Sequence, residues 1–210
     1  KTLLSLILCT CVASANAGNL YSYDKYLTYH YGQGRITENA KAEDTIFAKY
    51  QAYNLFFAIV DTNKELFSTL LHNFERILCM GSVDLYIPNK SSTLGQNSDT
   101  FDVGAALFTA YSLLEASEKF SEPEYKSKAL KIIKCIKTNF VVKNEILGEL
   151  IVSAYDKNQN LFIRPSDFPL FVVQRLSELD PDLKKLLHNS YVAIVKGAGD
   201  GFVADELQFN

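Results

Sequence analysis

Apolar residues recur three and four positions apart along most of this chain, and the stretches that carry them come in adjacent pairs. Ala52, Leu55, Phe56, Ile59 and Val60 make one stripe, with Asp44 placed to cap it and Asp61-Thr62-Asn63 to stop it. Leu66, Phe67, Leu70, Leu71, Phe74, Ile77 and Leu78 make the next, up to Gly81, so the two helices form a hairpin with a very short connection. A third stripe runs from Val103 through Leu107, Ala110, Tyr111, Leu114 and Ala116 to Phe120. The fourth opens at Ser121-Glu122-Pro123-Glu124 with proline near its first turn and carries Tyr125, Ala129, Ile132, Ile133 and Ile136 inward. Helical pattern returns from Phe168 to Leu179, and after Asp180-Pro181 it continues through Leu183, Leu186, Leu187, Tyr191 and Ile194. Antiparallel helix pairs without long strands imply an all-α array, which a toroid, a solenoid or a bundle satisfies. The absence of a fixed-period repeat ranks the solenoid lower.

Three stretches break the pattern. Residues 82–102 are turn-rich and read as a loop of about 20 residues, a length usually reserved for function. Between Val141 and Ile163, Gly148 and Asp156-Lys157-Asn158-Gln159-Asn160 interrupt the text, and short strands are expected. From Gly197 to Asn210 the chain reads as glycine-rich and without a closing element.

At 210 residues the default is one domain, and 48% hydrophobic with 21% charged residues excludes disorder, a collagen-like repeat and a multi-span membrane protein. Its 21 basic and 24 acidic residues argue against a nucleic-acid partner, because neutralising phosphates takes a clustered basic surface. Residues 1–17 read as a secretory signal peptide: Lys1, an apolar run from Leu3 to Val12, then Ala15-Asn16-Ala17. That run is shorter than the roughly 20 residues of a membrane span, so no membrane partner is expected after its removal. Residues 18–210 then form a single helical domain, secreted or periplasmic. Cys9 and Cys11 leave with the signal, and Cys79 and Cys135 either pair or stay as buried thiols. His30, His72 and His188 are scattered, so neither a metal nor a cofactor is expected.

Three segments resemble the family-8 glycoside hydrolases, in particular the endoglucanase branch found beside bacterial cellulose synthases. Gln51-Ala52-Tyr53-Asn54-Leu55-Phe56-Phe57-Ala58-Ile59-Val60-Asp61, followed by Leu66-Phe67, is similar to the stretch S-E-G-Q-S-Y, an apolar helix, an acidic turn and F-D. Asp102 through Ala110-Tyr111-Ser112-Leu113-Leu114-Glu115-Ala116 to Phe120 is similar to A-S-D-A-D-x-x-I-A-Y-A-L-L-x-A-x-x-x-W. Arg164-Pro165-Ser166-Asp167-Phe168-Pro169 resembles N-P-S-Y-x-x-P, and Gly201-Phe202-Val203-Ala204-Asp205 resembles G-x-x-P-D-W. The resemblance runs from about Tyr26 to Glu206 and corresponds to the first two-thirds or so of such a domain. It implies an (α/α)6 barrel of helix hairpins, incomplete at the C-terminus, a β-1,4-glucan or other polysaccharide as ligand, and cellulose-synthase-type machinery as a possible associate.

Inverting hydrolysis needs a carboxylic acid to protonate the leaving oxygen and a carboxylate about 6.5–9.5 Å away to activate water. Carried onto this chain, the family's general acid falls on Lys49, and the two aspartates that line the cleft fall on Gly104 and Ala106. The family's base segment has no counterpart in these residues. Tyr53, Tyr111, Ser166 and Asp167 fall on glucan-contacting positions. Read without the resemblance, Lys49 is a solvated helix lysine, Asp167 a loop or cap aspartate and Glu115 a surface residue, while Tyr53 and Tyr111 fit a cleft or a core equally. The chain has no Trp, and Phe56, Phe57, Phe67, Phe74, Phe108 and Phe120 read as core. The leading expectation is therefore a glycosidase homologue without hydrolysis, binding glycan or standing as a remnant. Two rivals are an active glycosidase with relocated acids such as Asp99, Asp102 or Asp205, and a non-catalytic periplasmic helical scaffold.

Overall fold

The computed structural model describes residues 45–78, 87, 88, 90–92, 101–155, 161–198 and 204–209, together with 23, 25, 27, 28, 31, 32, 35 and 36. Among them six longer helices form: α1 (Ala48–Val60), α2 (Lys64–Leu78), α3 (Val103–Lys119), α4 (Pro123–Asn139), α5 (Leu170–Leu176) and α6 (Pro181–Gly197). The signal-like segment 1–17, Asp44, Cys79, His30, Asp99, Gly201 and most of the 82–102 loop lie outside the described residues.

Short connections set the pairing. Between α1 and α2, Thr62 takes a left-handed conformation (φ 59°), and the Asn63 side chain accepts the Leu66 N–H at 2.9 Å to start α2. Ser121 makes the same left-handed turn (φ 58°) before Pro123 opens α4. Asp180 opens α6 by accepting the Asp182 N–H at 2.8 Å. Each pair is thus an antiparallel hairpin. The first members lie side by side, α1 against α3 and α3 against α5, each backed by its own partner. Helix α3 sits in the middle, and Val103 to Ala110 are buried on every side. Gly104, Ala105, Ala106 and Ala110 let its neighbours approach closely, while Leu107, Leu113 and Leu114 fill the space behind.

Short strands trim the helical array: β1 (Tyr31–Gly32) with β2 (Arg35–Ile36), β3 (Thr45–Phe47) with β4 (Lys90–Ser92), β5 (Val141–Asn144) with β6 (Gly148–Ile151), and β7 (Ala154–Tyr155) with β8 (Leu161–Ile163) and β9 (Leu207–Phe209). All pairs are antiparallel. The pair β3–β4 fixes the start of α1, and Asp102 N–H to the Ile87 carbonyl at 3.0 Å fixes the start of α3. Strand β8 leads directly into the turn before α5.

Several expectations need correction. Val60 and Phe57 are 48% and 44% exposed rather than inward, because neighbouring positions on a helix lie about 100° apart and Phe56 takes the sheltered direction. Tyr191 is exposed for the same reason, beside the buried Ser190. Helix α5 begins at Leu170, not Phe168, since a residue before proline is pushed out of helical conformation, and it ends at Leu176. The last stretch does include a closing element, β9, whose Leu207 pairs with Ile163.

Candidate active site

The starts of α1, α3 and α5 converge. Helix α1 begins behind Phe47, which offers no side-chain cap, and places Lys49 in its first turn, where a cation opposes the helix dipole. Helix α3 begins at Asp102, whose carboxylate accepts the Ala105 N–H at 2.8 Å. Ahead of α5, residues Pro165–Asp167 form a 3-10 turn, closed by Asp167 N–H to the Arg164 carbonyl at 2.9 Å. That turn brings the Asp167 carboxylate to the ends of the other two helices.

Lys49 Nζ donates to Asp167 Oδ1 at 3.0 Å, with 30% of the lysine side chain exposed and only 4% of the aspartate's. Lys49 is therefore not a solvated lysine, and Asp167 caps no helix, since Pro169 occupies the cap position of α5. A carboxylate buried this far requires a countercharge, and Lys49 supplies it. Gly104 completes the arrangement. A Cβ built there would stand 2.4 Å from Asp167 Oδ1 and 2.8 Å from its Cγ, so the aspartate fills the volume that any side chain at position 104 would claim. Ala106, two residues further along the helix, is fully buried.

Burial pushes the Asp102 carboxyl above its ordinary value; the Ala105 N–H opposes this, the Asp167 charge adds to it, and the Lys49 and Arg164 cations pull it down. Burial also works against the Lys49 ammonium, but Asp167 outweighs it and the ammonium is held above its usual range. The site is thus an ion pair beside a carboxyl whose pKa is raised by burial.

An aromatic wall continues from the pair. Tyr53, one turn along α1 from Lys49, meets Phe108 edge-on at 4.7 Å, and Tyr111 contacts Phe56 at 5.6 Å and Phe171 at 5.4 Å. Both tyrosines are half-buried in this cluster. Burial and the neighbouring Glu115 raise the Tyr111 hydroxyl, against the pull of Arg175. Glu115 itself is a tie rather than a free surface group, accepting from Arg175 Nε at 2.7 Å. Ser166 is exposed and lines a different feature, a cavity of about 390 Å³ shared with Arg164, Pro165, Ala204, Asp205 and Glu206. An Arg164–Glu206 ion pair of 2.8 Å ties two of its walls. Among the described residues no three His, Cys, Asp or Glu side chains gather as a metal site, and no helix is long and apolar enough to cross a membrane.

No family model matches the chain. It is 27% identical over 158 residues to an endoglucanase of Xanthomonas axonopodis pv. citri, covering 70% of this chain and 41% of that one. An endoglucanase of Salmonella typhi is 22% identical over 189 residues, covering 84% of this chain and 50% of that one. Among solved structures, endo-1,4-D-glucanase from Vibrio fischeri ES114 superposes with a TM-score of 0.78 at 20% identity, over 90% of this chain and 58% of that chain. Endoglucanase Cel10 from Klebsiella pneumoniae, a family 8 glycosyl hydrolase, gives 0.78 at 15% identity, over 90% of this chain and 64% of that chain. The fold is that of glycoside hydrolase family 8. This chain spans about half the length, or less, of the curated relatives it matches.

On the family-8 fold, three of the positions that depart from the motifs meet in space: Lys49, Gly104 and Asp167. In the sequence they stand far apart, in three separate motifs. The signal that they belong together was available, since a new cation, a new anion and a lost side chain appear at three motif positions at once. Arg164, which contributes to the potential at Asp102, carried no such signal.

Proposed function

We propose that this chain is a β-1,4-glucan-binding relative of the endoglucanases that does not cleave its ligand, exported through residues 1–17 to the periplasm. One observation carries the reading: the Lys49–Asp167 ion pair at 3.0 Å. An ammonium held above its usual pKa donates protons poorly near neutrality, and its partner carboxylate is committed to balancing it. Acid catalysis from this position would also bring a fixed cation towards an oxocarbenium-like transition state. The ligand class comes from the relatives, which are endoglucanases. Tyr53, Tyr111 and Ser166 supply ring faces and a hydroxyl for sugar contacts.

The test is affinity electrophoresis in gels containing carboxymethylcellulose. Retarded migration, weakened by Tyr111→Ala, is the expected result; unretarded migration contradicts binding. A second reading, hydrolysis through relocated acids, is favoured by the raised Asp102 carboxyl beside the Asp167 anion. It requires reducing-end release that Asp102→Asn abolishes.

A further inference from the structure

Where the three helix starts meet, donors and acceptors do not balance. An ammonium carries three N–H donors and no acceptor. Asp167 Oδ1 takes one of those of Lys49 at 3.0 Å, and among the described residues no other hydrogen-bond partner occupies the remaining two. Asp167 itself is closed off from a ligand. The position of a Cβ on Gly104 lies 2.4 Å from its Oδ1, 2.8 Å from its Cγ and 3.0 Å from its Cβ, so α3 covers the carboxylate. Asp102 is turned to its own helix, accepting the Ala105 N–H through Oδ1. Tyr53 stands four residues along α1 from Lys49, on the same face, close enough for its hydroxyl to act on the Lys49 charge. An ammonium and a half-buried ring thus reach the same space, and the ammonium holds the unused hydrogen-bonding capacity.

Resting on the glucan-binding reading above, we infer that Lys49 is a ligand-contacting residue whose ammonium donates a charge-assisted hydrogen bond to a sugar oxygen, with Asp167 and Gly104 as the positioning residues that hold it there. The chemistry differs from that of a carboxylate in the same place. A carboxylate binds only groups that carry a hydrogen, such as sugar hydroxyls, whereas an ammonium also binds ring and bridging ether oxygens, which carry none. The ion pair serves this contact by fixing a long side chain before the ligand arrives, which removes much of its ordering cost from binding. Gly104 is part of the same device, because a side chain there would displace Asp167 and release the lysine.

The experiment is amine footprinting of the purified full chain: reductive methylation with and without saturating cellohexaose, read lysine by lysine by mass spectrometry, beside calorimetric titration of the same sugar. Cellohexaose should slow methylation of Lys49 severalfold and leave the exposed Lys131 on α4 unchanged. Asp167→Asn should speed Lys49 methylation in the absence of sugar, because the ammonium loses the charge that keeps it protonated, a readout that packing alone would not move. The double variant Lys49→Gln with Asp167→Asn, which strands no charge, should bind cellohexaose about 10- to 100-fold more weakly, the worth of a hydrogen bond from a charged donor. Circular dichroism checks its fold, and the footprint on the parent chain needs no variant at all. Binding that leaves Lys49 unprotected, or that the folded double variant retains in full, overturns the inference and spares the glucan-binding reading. No binding of cellohexaose at millimolar concentration overturns both.

Discussion

Lys49 and Asp167 are unequal partners, and the inequality is measurable. Because the Asp167 side chain is 4% exposed against 30% for Lys49, removing the lysine strands the more deeply buried charge. Lys49→Met should therefore cost about 3–5 kcal/mol in urea denaturation, and Asp167→Asn, which leaves a partly solvated ammonium, only about 1–2 kcal/mol. Equal costs would mean that the pair is not the buried tie described. Gly104→Ala drives a methyl group onto the Asp167 carboxylate and should cost about 1–3 kcal/mol, much of it recovered in an Asp167→Ala background. Asp102 gives a pH test. Its folded pKa is raised above the ordinary 3.8, so its contribution to stability is greatest below that value and is lost as pH rises through the folded one. Asp102→Asn keeps a side-chain acceptor for Ala105 and removes this loss, so the variant should gain on the wild type as pH rises above about 4. A flat difference contradicts it. The types of these residues were legible in the sequence, but their contacts were not: Lys49 and Asp167 stand 118 positions apart, and only the turn before α5 joins them.

Helices with a clear apolar stripe and a strong punctuation residue are legible in the sequence. Pro123 opens α4 and Pro181 opens α6 as expected, and Asp102 and Phe120 bracket α3. Where local chemistry cuts across the stripe the pattern misplaces the helix start, as at Phe168-Pro169, and strand β9 is not legible because three residues pairing with a distant partner leave no periodic trace. Asp180 shows how an element's end is secured twice: it accepts from the Asp182 and Leu183 N–H groups and from Lys137 Nζ at 2.6 Å, tying the start of α6 to the end of α4. Asp180→Ala should cost about 1–2 kcal/mol and speed hydrogen exchange at the Asp182 and Leu183 amides. Unchanged exchange there would mean that the cap is dispensable. The pH sign is opposite to that of Asp102: the Lys137 hydrogen bond lowers the Asp180 pKa, so its stabilisation is present above about pH 4 and disappears as pH falls through the folded value.

At the scale of the molecule, the family-8 arrangement brings three helix starts to one point, the place where the resemblance puts an acid and a neighbouring aspartate. Here that point holds an ammonium, a carboxylate that neutralises it, and a glycine that makes room for both. Over the part it covers, the chain keeps the family-8 fold while the groups set into these three helix starts differ from the motifs, and the proposed reading makes binding and cleavage separable properties. The most direct measurement is reducing-end release from carboxymethylcellulose by the purified chain over a prolonged incubation, beside its Asp102→Asn variant. We expect no release above the buffer blank from either protein; release by the parent chain that vanishes in Asp102→Asn would contradict the account.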